Sequence, residues 1–321
     1  MHCINDTRIA EIWIVGLQMN TETAILLFFS ILTMYIFILI GNCLIVIMVL
    51  SRVQLHSPMY FFLCSLSLCE IIFTSNLIPL LLYTLLNGGA AVYLSSCLGQ
   101  YYLGASLAVT ECFLLAVMSL DRYLAICNPL HYTLVMNLKL CLELNMVSWT
   151  TGFASMLTVV ILMFQLDFCG PNVVDHYFCD FAPILELSCS NIFVIKTEGT
   201  LWTFFITIFP SAFIVGTYVC IILAIFRISS STKRQKTFST CSSHLSVVCL
   251  FYGSLIILYV IPHQGLSSLN HKCMSLIYTV VTPLLNPIIY SFRNQEIKLV
   301  LKKMLTDLKQ LLTFKLAFRM T

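Results

Sequence analysis

The sequence predicts an all-α membrane protein: seven spanning helices in one bundle, with a short amphipathic helix after the seventh span. Composition is the first ground for this. Of 321 residues, 59% are hydrophobic and 10% charged, with mean hydropathy +0.94, whereas a soluble domain carries about 25% charged residues. The second ground is spacing, because seven apolar runs approach or exceed the roughly 20 residues needed to cross a bilayer. The third is the uneven placement of basic residues in the connecting segments.

Residues 1–23 form a polar amino-terminal tail. The tail contains Asp6, Glu11 and Glu22 and lacks the basic start and short apolar core of a cleavable leader, so the first apolar run reads as a retained helix. Within the tail, Asn5-Asp6-Thr7 is the single glycosylation sequon, with Asn5 as the acceptor. The runs then follow at Ala24–Leu50, Pro58–Leu86, Tyr93–Leu120, Leu144–Leu166, Gly199–Phe226, Thr237–Pro262 and Cys273–Phe292. Only the second and third contain a charged residue, Glu70 and Glu111 respectively. Pro79, Pro210, Pro283 and Pro287 fall inside runs, where kinks are tolerated if neighbours re-satisfy the freed carbonyls. No repeat or linker divides the chain, so residues 24–292 read as one bundle and 293–321 as a tail. In that tail, Ile297, Val300, Leu301, Met304, Leu305 and Leu308 recur at helical spacing among Lys298, Lys302 and Lys303. Such a pattern suits a helix lying on the inner surface of the membrane.

Orientation follows from counting. With the amino terminus outside, fourteen Lys and Arg lie on the cytoplasmic side and only Arg8, Lys196 and Lys272 outside. That is the asymmetry of a multi-pass protein with its carboxyl terminus inside. The net charge of +3 is too small to argue for nucleic acid. Cys97 lies 25 residues before Arg122, about 37 Å of helix, which puts it at the outer face with Cys169, Cys179 and Cys189. Four outer cysteines allow three pairings, and spacing does not choose among them.

The third run ends at Asp121-Arg122-Tyr123, an acid–base pair placed where the helix should leave the membrane. Gly104, Ala108, Glu111, Leu115, Met118 and Arg122 form one stripe above it. The upper part, Gly104, Ala105 and Ala108 with Val109, is small, which suits either close helix packing or an open pocket. Trp202, Ile206, Tyr252, Leu255, Tyr259 and Thr279 stand at matching depth on later helices and favour the pocket. Its lining would be mainly apolar with a few hydroxyls, suiting a small neutral molecule. Glu70 and Glu111 should reach similar depth, about 18 Å and 16 Å from the inner ends of their helices. They can share a proton, hold a cation between them, or each bond a neighbour such as Asn42 or Asn286. Cys241 with His244, and Glu111 beside Cys112, have metal-like spacing but too few ligands for zinc.

Signature segments extend along nearly the whole chain. They include Gly41-Asn42, Pro58-Met59-Tyr60, Met118 to Tyr132, Trp149, Cys169-Gly170-Pro171-Asn172 and His176-Tyr177-Phe178-Cys179-Asp180. Lys236 to Leu245, Phe251-Tyr252-Gly253 and Pro283 to Asn294 complete the set. In this order the chain resembles the olfactory receptors, within the rhodopsin-like G-protein-coupled receptors. The resemblance implies disulfides Cys97–Cys179 and Cys169–Cys189. It implies an activation switch of Asp121, Arg122, Tyr123, Tyr218, His244, Asn286, Pro287 and Tyr290, with Arg122 held at rest by Asp121 and the inner end of the sixth helix. It also implies a volatile odorant as ligand, a stimulatory heterotrimeric G protein as partner and a rise in cyclic AMP. The expected location is the plasma membrane of olfactory cilia, and a sodium ion near Glu70 and Glu111 is the one cofactor suggested. Related amine receptors would require an acid where Gly104 stands. Leu120, Thr237, Leu80 and the Thr217-Tyr218 pair depart from the usual pattern. An enzyme would need a catalytic pair at mid-depth, and a transporter would need broken half-helices; the sequence offers neither.

Overall fold

The computed structural model describes residues 10–260, 268–293, 296–304 and 306. Asn5 and the distal tail, including Leu305 and Leu308, lie outside the described residues. Seven helices are long and apolar enough to cross a membrane, as the sequence predicts. The first five spans are Thr21–Ser51, Pro58–Asn87, Leu94–Cys127, Leu138–Phe164 and Phe193–Phe226. The sixth runs Ser231–Leu255 and continues through a π-helical turn, Ile256–Val260. The seventh comprises Ser268–Leu276, a second π turn Ile277–Val281, and Thr282–Arg293.

Several helices overrun their apolar runs, and the caps explain why. Asn137 accepts the Leu140 amide at 2.9 Å, so the fourth span starts six residues before Leu144, while Lys139 and Glu143 pair at 3.9 Å on the added turn. Hydropathy marks the hydrocarbon layer; a capping side chain marks the helix. Asn20 likewise caps the first span through the Thr23 amide at 2.9 Å. Pro58 opens the second span, and Gly88, at φ 69°, closes it in the left-handed region that favours glycine.

The third span sits at the centre, packed against the second, fourth and fifth. Close approaches depend on small residues. A Cβ on Gly41 would lie 2.9 Å from the Pro287 ring, so the first and seventh spans meet only because that position is bare.

Three short strands, absent from the sequence reading, cross the outer face. β1 (Glu11–Ile14) lies between β2 (Ala90–Tyr93), antiparallel, and β3 (Val173–Val174), parallel. Ile12 and Ile14 are buried while Glu11 and Trp13 face outward, a two-residue period too brief to stand out beside helical runs. The segment read as a plain tail thus stitches two loops together. On the inner side, a short helix, Pro129–Val135, follows the third span. Residues 296–304 are helical, with Ile297 and Val300 buried and Lys298, Lys302 and Lys303 exposed, as expected of an amphipathic helix. Glu296 accepts the Tyr60 hydroxyl at 2.6 Å and ties that helix to the second span.

Candidate ligand cavity and switch

The loop between the fourth and fifth spans closes the outer end of the bundle. Cys97 is bonded to Cys179 and Cys169 to Cys189, with Cα separations of 5.4 and 5.8 Å. These are the pairings that the family resemblance implies. The Cys179 amide also donates to Gln100 Oε1 at 3.0 Å, fixing the loop over the third span. His176, Tyr177 and Phe178 pack as an aromatic cluster with centroids 4.4–5.0 Å apart. Burial, with the charges of His271 and Lys272, lowers the His176 imidazole to about 3, so it stays neutral. Lys272 reaches across from the seventh span to Asp175 at 2.5 Å and to the Gly16 carbonyl at 2.9 Å.

Beneath the loop is a cavity of about 140 Å³. This approaches the size of an engineered apolar cavity, roughly 150 Å³, that holds a benzene-sized guest. Gly104, Ala105, Ala108, Val109, Trp202, Ile206, Leu255 and Tyr259 line it, as the sequence predicts. Gly104 serves both readings of the small-residue stripe, since a Cβ there would lie 3.3 Å from Asn76 Nδ2 on the second span.

Tyr252 and Thr279 stand behind the wall. Tyr252 donates to the Cys112 carbonyl at 2.8 Å. Thr279 donates to the Ser275 carbonyl at 2.9 Å and shares a hydrogen bond with Tyr177 at 2.9 Å. Thr279 belongs to the π turn Ile277–Val281, and such a turn carries an extra residue and rotates the helix beyond it. Tyr278 lines the cavity instead. The sequence reading also missed Gln100, Tyr101, Phe178, Asp180 and Phe181, which contribute from the top of the third span and from the loop. The motif His176 to Asp180 marked that loop, but nothing local says which of its side chains turns inward.

At the inner end, Arg122 donates twice to Asp121 Oδ2, at 2.7 and 3.1 Å. Tyr132 from the short inner helix donates to Asp121 Oδ1 at 2.8 Å. Asp121 is fully buried. The sixth span is tied to the fifth rather than to Arg122. Tyr218 bonds His244 Nδ1 at 2.7 Å, donates to the Cys241 carbonyl at 3.2 Å, and its ring stacks on the imidazole. The expected sixth-helix partner of Arg122 is therefore not seen among the described residues. The Tyr290 hydroxyl is buried without a partner there, His244 also faces the Leu115 backbone on the third span, and Tyr123 is half-buried. Pro287 packs against Gly41 on the first span.

Between the two ends lie the paired acids. Asn286 donates to Glu70 Oε1, and Asn42 faces the same carboxylate. Glu70 Oε2 and Asn286 Oδ1 are buried without partners among the described residues. Glu111 is buried within electrostatic range of Glu70.

Seven spanning helices around an apolar cavity, with a charged pair at the opposite end, are the architecture of a multi-pass membrane protein. The sequence profile of the family described as olfactory receptor matches residues 31–308. Among curated proteins, human olfactory receptor 11L1 is 44% identical over 303 residues, 94% of each chain. Human olfactory receptor 10A7 is 42% identical over 307 residues, 96% of this chain and 97% of that one. Mouse olfactory receptor 5P52 is 39% identical over 303 residues, 94% and 98%. The chain belongs to the olfactory receptor family, whose members are G-protein-coupled receptors and not enzymes.

Proposed function

We propose that the cavity binds a small, mostly apolar odorant and that the inner end passes this event to a stimulatory heterotrimeric G protein, raising cyclic AMP. The observation that carries the reading is the apolar space under the outer loop, walled by all four of the small or apolar third-span residues that the sequence points to. A guest of about six to ten heavy atoms at roughly 1 to 0.6 kcal/mol per atom gains about 6 kcal/mol, so half-maximal responses should fall near tens of micromolar. Both disulfides and the count of fourteen basic residues against three support an extracellular amino terminus; the plasma membrane of olfactory cilia is proposed from family membership alone. The test is a broad odorant panel on surface-expressed receptor, in cells with and without the stimulatory G protein. Cyclic AMP should rise only in the first, and Ala108→Phe should abolish the response at unchanged surface expression. An unaltered dose–response curve in that variant would move the ligand elsewhere.

The buried acids fit a sodium ion. Among the described residues Glu70 Oε2 and Asn286 Oδ1 have no hydrogen-bond partner within bonding geometry, although Asn42 faces the same carboxylate; Glu111 adds a second carboxylate, and hard cations take oxygen ligands. Such an ion would neutralise charge there and favour the resting arrangement. Glu70→Gln and Glu111→Gln should each weaken the dependence of resting signal on sodium. If replacing sodium with a large organic cation leaves wild type and both variants alike, the shared-proton or hydrogen-bonded arrangement stands instead.

A further inference from the structure

Asp180 is the one formally charged side chain among the described residues lining the cavity, and it enters from the outer loop rather than from a helix. It is 5% exposed. One oxygen, Oδ1, accepts the Phe181 amide at 2.8 Å and so caps the short helix Phe181–Leu185. The remaining contacts are weak. The Tyr259 hydroxyl lies 3.5 Å from both oxygens, well beyond the roughly 2.7–2.8 Å of a well-formed O–H···O bond. The nearby cation, Lys272, is held by Asp175 and the Gly16 carbonyl. His271 contributes an electrostatic attraction. Two acceptor oxygens, about four lone-pair sites, therefore receive one good donor and one long one among the described residues. A buried carboxylate in that condition is costly unless something else donates to it.

The rest of the cavity explains what that donor would belong to. Its wall is formed by Ala105, Ala108, Val109, Ile206 and Leu255, groups that reward an apolar body and offer it no hydrogen bond. The polar groups Asp180, Tyr259 and Tyr101 border the same space. A guest filling the apolar part would present one end to them.

We infer that this receptor selects odorants combining a small apolar body with a hydrogen-bond donor, through donation to Asp180. Alcohols, phenols and amines share that chemistry; ethers, ketones and hydrocarbons of the same shape lack it. The inference rests on the proposed ligand cavity and narrows it from apolar volatiles in general to donor-bearing ones. A pocket made to receive a donor discriminates strongly against the analogue without it, because the acceptor is then left buried and unpaired.

The experiment uses the purified full-length receptor in detergent and reads ligand binding as a shift of the thermal unfolding midpoint, independent of any G protein. The probes are matched series on skeletons of six to ten heavy atoms: primary alcohol, primary amine, methyl ether and hydrocarbon. In wild type, donors should bind about tenfold or more tightly than the matched ether, the weight of a hydrogen bond to a charged group. Asp180→Asn keeps an oxygen for the Phe181 amide, so the loop helix stays capped. In that variant the amine should lose most of its advantage, and the alcohol-to-ether ratio should shrink several-fold. Alcohol and ether binding equally in wild type would overturn the inference while leaving the cavity in place. A wild-type preference for donors that Asp180→Asn leaves intact would overturn the role of Asp180. If no probe in any series shifts the midpoint, the cavity reading falls together with this inference.

Discussion

The two ends of the bundle are held by different means. Outside, two disulfides, a three-stranded sheet and the Lys272–Asp175 pair tie the amino-terminal strand, the long loop and the third and seventh spans together. Inside, the described cross-links between spans are hydrogen bonds, such as Tyr218 to His244, and buried polar atoms such as the Tyr290 hydroxyl have no partner among the described residues. Covalent ties and strand pairing resist displacement; single hydrogen bonds contribute about 1 kcal/mol each and can be exchanged. A ligand gripped by the rigid end can therefore bias an equilibrium at the loose one, provided it binds one state of the bundle more tightly than the other.

The largest effect expected of that arrangement comes from removing its output. Arg122 is satisfied by Asp121 alone among described side chains, and its side chain is 17% exposed at the inner face. Arg122→Ala should leave odorant binding within a factor of two and eliminate the cyclic AMP response. Binding is read by thermal shift and signalling by cyclic AMP in the same preparation of cells. A well-expressed Arg122→Ala receptor with full signalling would separate this pair from coupling altogether.

A smaller effect probes how little holds the inner end closed. His244→Phe keeps an aromatic ring against Tyr218 but removes the ring nitrogen that bonds its hydroxyl at 2.7 Å. Tyr218 still donates to the Cys241 carbonyl, so no hydroxyl is orphaned. Losing the Tyr218 bond, worth about 1 kcal/mol, together with the contact to the Leu115 backbone should raise resting activity about fivefold or more, without changing the odorant rank order. Unchanged resting cyclic AMP would mean that the fifth and sixth spans are held by packing, and that the hydrogen bond is incidental.

The same contrast governs what the sequence disclosed. The inner switch pair and the spans were legible because both follow short-range rules: charge at a membrane edge, and apolar length. The face of the third span was legible because helical period alone puts Gly104, Ala108 and Arg122 on one side. The outer assembly was not. β1 depends on partners at residues 90–93 and 173–174, far away in the chain. Asp180 reads in the sequence as one more acid on an outer loop, and only the disulfide at Cys179 together with Gln100 turns it toward the cavity. Thr279 is displaced from the lining by a π turn that apolar periodicity does not announce. Long-range ties and irregular turns are where local reasoning ends.

The smallest effect expected belongs to the rigid outer end, and its sign is fixed by burial. His176 is 1% exposed, with Ser275, His271, Lys272 and Asp175 as its polar and charged neighbours, and its imidazole is lowered from 6.5 to about 3. A depressed value means the unfolded chain takes up the proton first. The contribution of His176 is thus fully present above pH 6.5 and declines as pH falls toward 3. Between pH 7.5 and 6.0 the loss should be about 0.8 kcal/mol, roughly a 2 °C fall in unfolding midpoint for a chain of this size. Asp180, whose carboxyl is raised by burial, acts with the opposite sign, so the imidazole is isolated by subtraction against a variant rather than by the choice of pH. The measurement is the midpoint difference between these two pH values in wild type and in His176→Gln, which cannot titrate. The variant should lose that share of about 0.8 kcal/mol and keep the pH dependence that all other groups contribute to both proteins. Equal pH dependence in both proteins would show that the outer cap opens enough in the native state for His176 to meet water, and that the rigidity assigned to this end is overstated.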